Sequence, residues 1–115
     1  MPGLTDAKFL RAVAEARIPP SLFGHREHLR LAFLLLRRDG DEEGTRSLIT
    51  ALRRFTAAHG IGHIFDEPLT LRWVARLLSA MASASDATSL DALLAAAPEL
   101  ANAKADKRSL ETLVP

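Results

Sequence analysis

Apolar residues recur along this chain at intervals of three and four, and nowhere does an alternation of β-branched or aromatic residues last for the length of a strand. The pattern predicts an all-α protein, a compact bundle of four to five helices. Thr5 is placed to cap a first helix with Phe9, Leu10, Val13 and then Ala16 or Arg17 on one stripe, and this helix must stop before Pro19-Pro20. Ser21 to Gly24 reads as a connector. A second helix is expected from about His25 to Arg38. Leu29, Ala32, Phe33 and Leu36 form its apolar face, and Leu31, Leu34 and Leu35 widen that face until only Arg26, Glu27, Arg30, Arg37 and Arg38 require water. Such a helix is central.

Asp39-Gly40-Asp41 ends it, with Gly40 supplying a left-handed C-cap, Asp41 a cap for the next helix, and Glu42 and Glu43 complementing that helix's dipole. A third helix over about 42–58 should bury Leu48, Leu52 and Phe55 and expose Arg46, Arg53 and Arg54, with His59 suiting its C-terminal dipole. Gly60-Ile61-Gly62 then opens a loop. A fourth helix starts around Asp66-Glu67-Pro68 and carries Leu69, Trp73, Leu77 and Met81 on one face, which makes it the expected partner of helix 2. Beyond Ser83 the pattern weakens. Ser89 or Asp91 can start a short helix that Pro98 interrupts, and residues 99–115 read as a loosely packed tail with modest periodicity in Leu100, Leu110 and Leu113.

Composition narrows the class. With 115 residues, 48% of them hydrophobic and 25% charged, the chain reads as a single domain, 1–115, able to form a core without disulfide or metal staples. The absence of cysteine removes thiol catalysis and zinc-thiolate sites and agrees with a reducing cytoplasm, the expected location. Fifteen Lys and Arg against fourteen Asp and Glu leave a net charge of +1, so no global field draws the chain to nucleic acid or an anionic membrane. The longest apolar run, Leu31 to Leu36, falls far short of the roughly 20 residues that span a bilayer, and no secretory signal pattern opens the chain. Phosphate-loop, dinucleotide, G-x-S-x-G and H-E-x-x-H motifs do not occur. Helices 2 and 3 do not suit a helix-turn-helix, because the second opens with acidic residues that repel phosphate. The arginines at 37, 38, 46, 53 and 54 are interspersed with Asp39, Asp41, Glu42 and Glu43 and read as a solvated surface.

One group of residues suggests chemistry. His25 and His28 form H-x-x-H at the start of helix 2, on the same stripe as Leu29, Ala32, Phe33 and Leu36. Imidazoles in line with a core face need polar partners, and Asp66 and Glu67 at the mouth of helix 4 are the best candidates. Two histidines with one or two carboxylates make a competent set for a divalent ion such as Zn, Fe, Mn or Ni. The alternative is that the same residues only cap or hydrogen-bond the helix 4 entrance.

The run Phe23-Gly24-His25-Arg26-Glu27-His28-Leu29-Arg30-Leu31-Ala32, with Phe65-Asp66-Glu67-Pro68-Leu69-Thr70 and Trp73 further on, resembles a functionally uncharacterised family of small bacterial helical proteins. Its members show F-x-H-x-x-H-L-R-L-A and later Y-H-E-T-x-T with a tryptophan just behind, and the likeness covers roughly residues 5 to 100. It implies that His25, His28 and Glu67 match the family pattern, while Asp66 stands in place of a histidine and Pro68 in place of a threonine. Asp66 can still ligate a hard divalent ion. His63, three residues upstream in a glycine-flanked loop, is a candidate to replace the missing histidine. Two functions therefore stand: a metal-dependent or metal-sensing protein with a small ligand at an open position, or a non-catalytic helical adaptor with a protein partner, its His and carboxylate residues structural.

Overall fold

The computed structural model describes residues 3–102, and every regular element among them is helical. Five α-helices follow in order: α1 (Asp6–Ala14), α2 (His25–Asp39), α3 (Asp41–Ala58), α4 (Glu67–Ser83) and α5 (Leu90–Ala96). Single 3-10 turns stand at Pro20–Leu22, Gly62–Ile64 and Pro98–Ala101. Contacts divide the chain into two compact units, Met1–Glu67 and Pro68–Pro115, each described by itself below.

In the first unit Thr5 caps α1 as its sequence position predicts, its hydroxyl accepting from the Lys8 N–H at 3.3 Å. The buried stripe is shorter than expected. Ala16 adopts φ 52°, and the N–H groups of Ala16 and Arg17 donate back to the carbonyls of Val13 and Ala12, so the chain turns off the helix and Ile18 takes the next core position. No glycine marks that left-handed residue, so local sequence could not disclose it.

Helix α2 buries the face its periodicity marks, Leu29, Leu31, Ala32, Phe33, Leu35 and Leu36. Gly24 begins it, with the Glu27 carboxylate accepting from the Gly24 N–H at 2.8 Å. This is half of a capping box, since glycine has no side chain to complete it. Arg30, expected in water, is half-buried instead. Its guanidinium donates to the Leu4 carbonyl at 2.7 Å and to Asp6 at 2.9 Å and lies 4.5 Å over the Phe9 ring, tying the start of α1 to α2.

One residue joins α2 to α3. Gly40 has φ 86° and ψ 176°, a region essentially reserved for glycine and different from the left-handed helical cap expected there. The chain reverses so abruptly that Asp41 already lies inside α3 instead of capping it. Helices leaving so short a turn start in close contact, and Gly44, one turn into α3, is buried against the backbone of Leu35 and Leu36. Further along, α3 buries Leu48, Leu52, Phe55 and Thr56, the last donating its hydroxyl proton to the Leu52 carbonyl at 2.8 Å.

In the second unit α4 buries Leu77, as expected, together with Val74, while Leu69, Trp73 and Met81 of the expected stripe are only half-buried. Ser89 caps α5 by accepting from the Ala92 N–H at 3.1 Å, and Leu90 and Leu93 are buried. The stretch expected as the start of a loose tail is ordered at first: Pro98–Ala101 forms a turn that buries Leu100. Residues 103–115, the rest of that tail, lie outside the described residues. Among the described residues no helix is long and apolar enough to cross a membrane.

Candidate functional site

The two histidines of H-x-x-H occupy the first turn of α2, where Gly24 lets the chain enter the helix in an extended conformation. His25 is half-buried and His28 is exposed, so the second imidazole does not continue the buried line of Leu29, Ala32, Phe33 and Leu36. The His28 Nδ1 lies 2.9 Å from the Gly24 carbonyl oxygen, which also accepts the His28 backbone N–H at 3.0 Å. A carbonyl only accepts, so Nδ1 carries the proton of the neutral ring and the lone pair resides on Nε2. The ring meets Phe23 edge-on, with centroids 4.5 Å apart. Crowding by protein atoms is the largest influence on this imidazole and pushes its pKa below 6.5, the Gly24 hydrogen bond and Glu27 opposing that shift and His25 adding to it.

Phe23 organises this end of the unit. It stacks on Phe9 at 6.4 Å and lies 4.7 Å from Phe55, which in turn meets the edge of His59 at 4.7 Å. His28, Phe23, Phe55 and His59 thus form a row of rings linking the start of α2 to the end of α3. The Nε2 of His59 is buried within it without a hydrogen-bond partner. Periodicity makes Phe23 part of a connector and the resemblance makes it the first residue of its matching run, but neither gives it a core position, and His59 reads only as a dipole contact. The available signal was the one aromatic side chain in the Ser21 to Gly24 connector.

The carboxylate half of the expected set has commitments of its own. Glu67, the first residue of α4, accepts from Arg53 of α3 at 2.8 Å, and the same guanidinium lies 5.2 Å over the Phe65 ring. Asp66 is exposed, and His63 is exposed on the 3-10 turn before it. Among the described residues no three His, Asp or Glu side chains group so as to hold a metal ion. The geometry therefore assigns His28 to the α2 entrance and Glu67 to an ion pair that fastens the loop after α3. Arg53, read from sequence as an ordinary surface cation, ties α3 to Glu67.

Comparison with protein-family models, curated proteins and solved structures finds no match to this chain.

Proposed function

We propose that this chain is a non-catalytic helical interaction protein, in which the histidine and carboxylate residues brace local structure. The observation that carries this reading is the engagement of Glu67 by Arg53 at 2.8 Å, which gives the principal candidate carboxylate a structural partner from α3. The bond from His28 to the Gly24 carbonyl supports it from the other side, since it closes the first turn of α2. The charge balance of +1 and the absence of nucleotide-binding motifs agree with a protein that acts through surface complementarity.

The metal reading is favoured by one specific observation. A histidine whose Nδ1–H is held by a backbone carbonyl is fixed as imidazole ligands commonly are, which leaves the Nε2 lone pair as the donor. In that reading His25 and His28 would bind the divalent ion with Asp66 or Glu67, and His63 would be a further donor. Recruiting Glu67 would require it to leave Arg53.

Calorimetry with Zn, Ni, Mn and Fe, on the wild-type chain and on His28→Ala, separates the two. The interaction reading expects no heat of binding at micromolar metal, and a fall in melting temperature on His28→Ala that is the same with and without metal. Micromolar binding that releases protons, raises the melting temperature with the logarithm of metal concentration and vanishes in His28→Ala would overturn it and establish the metal site.

A further inference from the structure

We infer that the groove between α1 and α3, floored by α2, receives an amphipathic helix of a partner protein that brings large apolar side chains to the floor and a carboxylate to Arg54. The inference rests on the interaction reading above and names its surface and partner chemistry.

The groove has a volume of about 440 Å³ and is open to solvent along one side. Leu31 and Leu35 of α2 make its floor, Leu10, Val13 and Ala14 line the α1 side, and short side chains, Ser47, Thr50 and Ala51, occupy the middle of the α3 wall. Small residues there leave room that side chains from outside can fill. The lining positions of α3 run from residue 43 to residue 54 on one side of the helix, a length of about 16 Å at the usual helical rise. Three turns of a docked helix match that length, and such helices present anchors at i, i+3, i+4 and i+7. An open trough flanked by helices suits a rod better than a compact ligand.

Charge selects the sign of the occupant. Three arginines edge the groove, and two are already matched: Arg38 donates to both oxygens of Asp39 at 2.8 and 2.7 Å, and Arg46 pairs with Glu43 at 2.7 Å and Glu42 at 3.7 Å. Arg54, exposed at the far end of the α3 wall, has no hydrogen-bond or ion-pair partner among the described residues. Among the described residues the rim therefore ends in one uncompensated guanidinium, whose planar fork matches a carboxylate. A polyanion such as nucleic acid would meet Glu43 on the same rim, with Asp39 and Glu42 already paired to Arg38 and Arg46, and be disfavoured. The complementary partner is an apolar helical face with an acidic residue near one end.

The test uses the full chain as bait for a displayed library of amphipathic helices about four turns long, with Leu, Ile or Phe at the anchor spacing and the flanking positions varied among Asp, Glu, Ser, Lys and Arg. The expected result is enrichment of Asp or Glu over Lys and Arg. A synthetic copy of an enriched sequence should bind the wild-type chain and lose at least tenfold in affinity against Arg54→Glu, with affinity restored when the peptide's acidic residue is exchanged for lysine. Ala51→Trp, which fills the trough, should abolish binding, and thermal melts establish that each variant is folded. Failure to select any sequence, or binding indifferent to Arg54→Glu and Ala51→Trp, would overturn the groove assignment. The metal titration is independent of this outcome: metal binding refutes the interaction reading itself, whereas a failed selection with no metal binding refutes only the groove.

Discussion

Replacing Gly44 by alanine should destabilise the protein although it improves helix propensity, and the opposition of these effects makes the substitution decisive. A Cβ at this position would stand 2.7 Å from the Leu36 Cα, 2.8 Å from the Leu35 carbonyl oxygen and 3.1 Å from its carbon. Carbon atoms in ordinary contact sit about 3.5 to 4.0 Å apart, so α3 must withdraw by roughly 1 Å. All three obstacles are backbone atoms, and no rotamer change removes them. The single-residue connection through Gly40 holds the helices together at this end, so withdrawal would strain the turn or tilt α3 and loosen the packing of Leu36 and Leu48. Overpacking of this kind costs about 1 to 3 kcal/mol, and its place against rigid backbone puts it at the upper end. Alanine recovers about 1 kcal/mol of helix propensity. The net expectation is a loss of about 2 kcal/mol, or a fall in melting temperature of about 10 °C for a domain of this size. Urea denaturation followed by far-ultraviolet circular dichroism measures it directly. A variant as stable as the parent, or more stable by the 1 kcal/mol that propensity alone supplies, would show that α2 and α3 do not approach this closely.

His28 predicts a particular acid sensitivity. Its folded pKa lies below the unfolded value of 6.5, so between the two values the unfolded chain binds a proton that the folded chain does not. Its contribution is therefore complete above pH 6.5 and is lost as pH falls from there through the folded value. His28→Gln should flatten the stability profile in that window, and a variant profile parallel to the parent's would refute the assignment. Phe33, with 1% of its surface exposed, should cost about 3 to 5 kcal/mol when replaced by alanine. A loss below about 1 kcal/mol in the same urea assay would place it at the surface.

The helices were legible in the chain because helix formation and capping depend on residues a few positions apart. Thr5 and Ser89 begin α1 and α5, Gly40 separates α2 from α3, and Pro98 follows the end of α5, each acting within a turn of itself. The place of His25 and His28 in the first turn of α2 was readable for the same reason, although the folded chain leaves His28 exposed instead of in line with the core. Their partners were not, because helical periodicity sets the direction of a side chain about its own axis and leaves the distance and rotation of neighbouring helices open. Glu67 was expected beside the histidines, yet the folded chain gives it to Arg53, 14 residues earlier. Arg30 reads as a solvated cation until Leu4 and Asp6, more than 20 residues away, cover it. Gly44 appears as a mild flaw in a helix until the backbone of α2 arrives against it. The groove before Arg54 has no local pattern at all, since its floor and walls come from three helices and its volume is what their side chains leave unfilled. Periodicity and caps established which segments are helical, and the closeness of α2 to α3, which only the packed chain decides, turned those segments into contacts and a candidate surface.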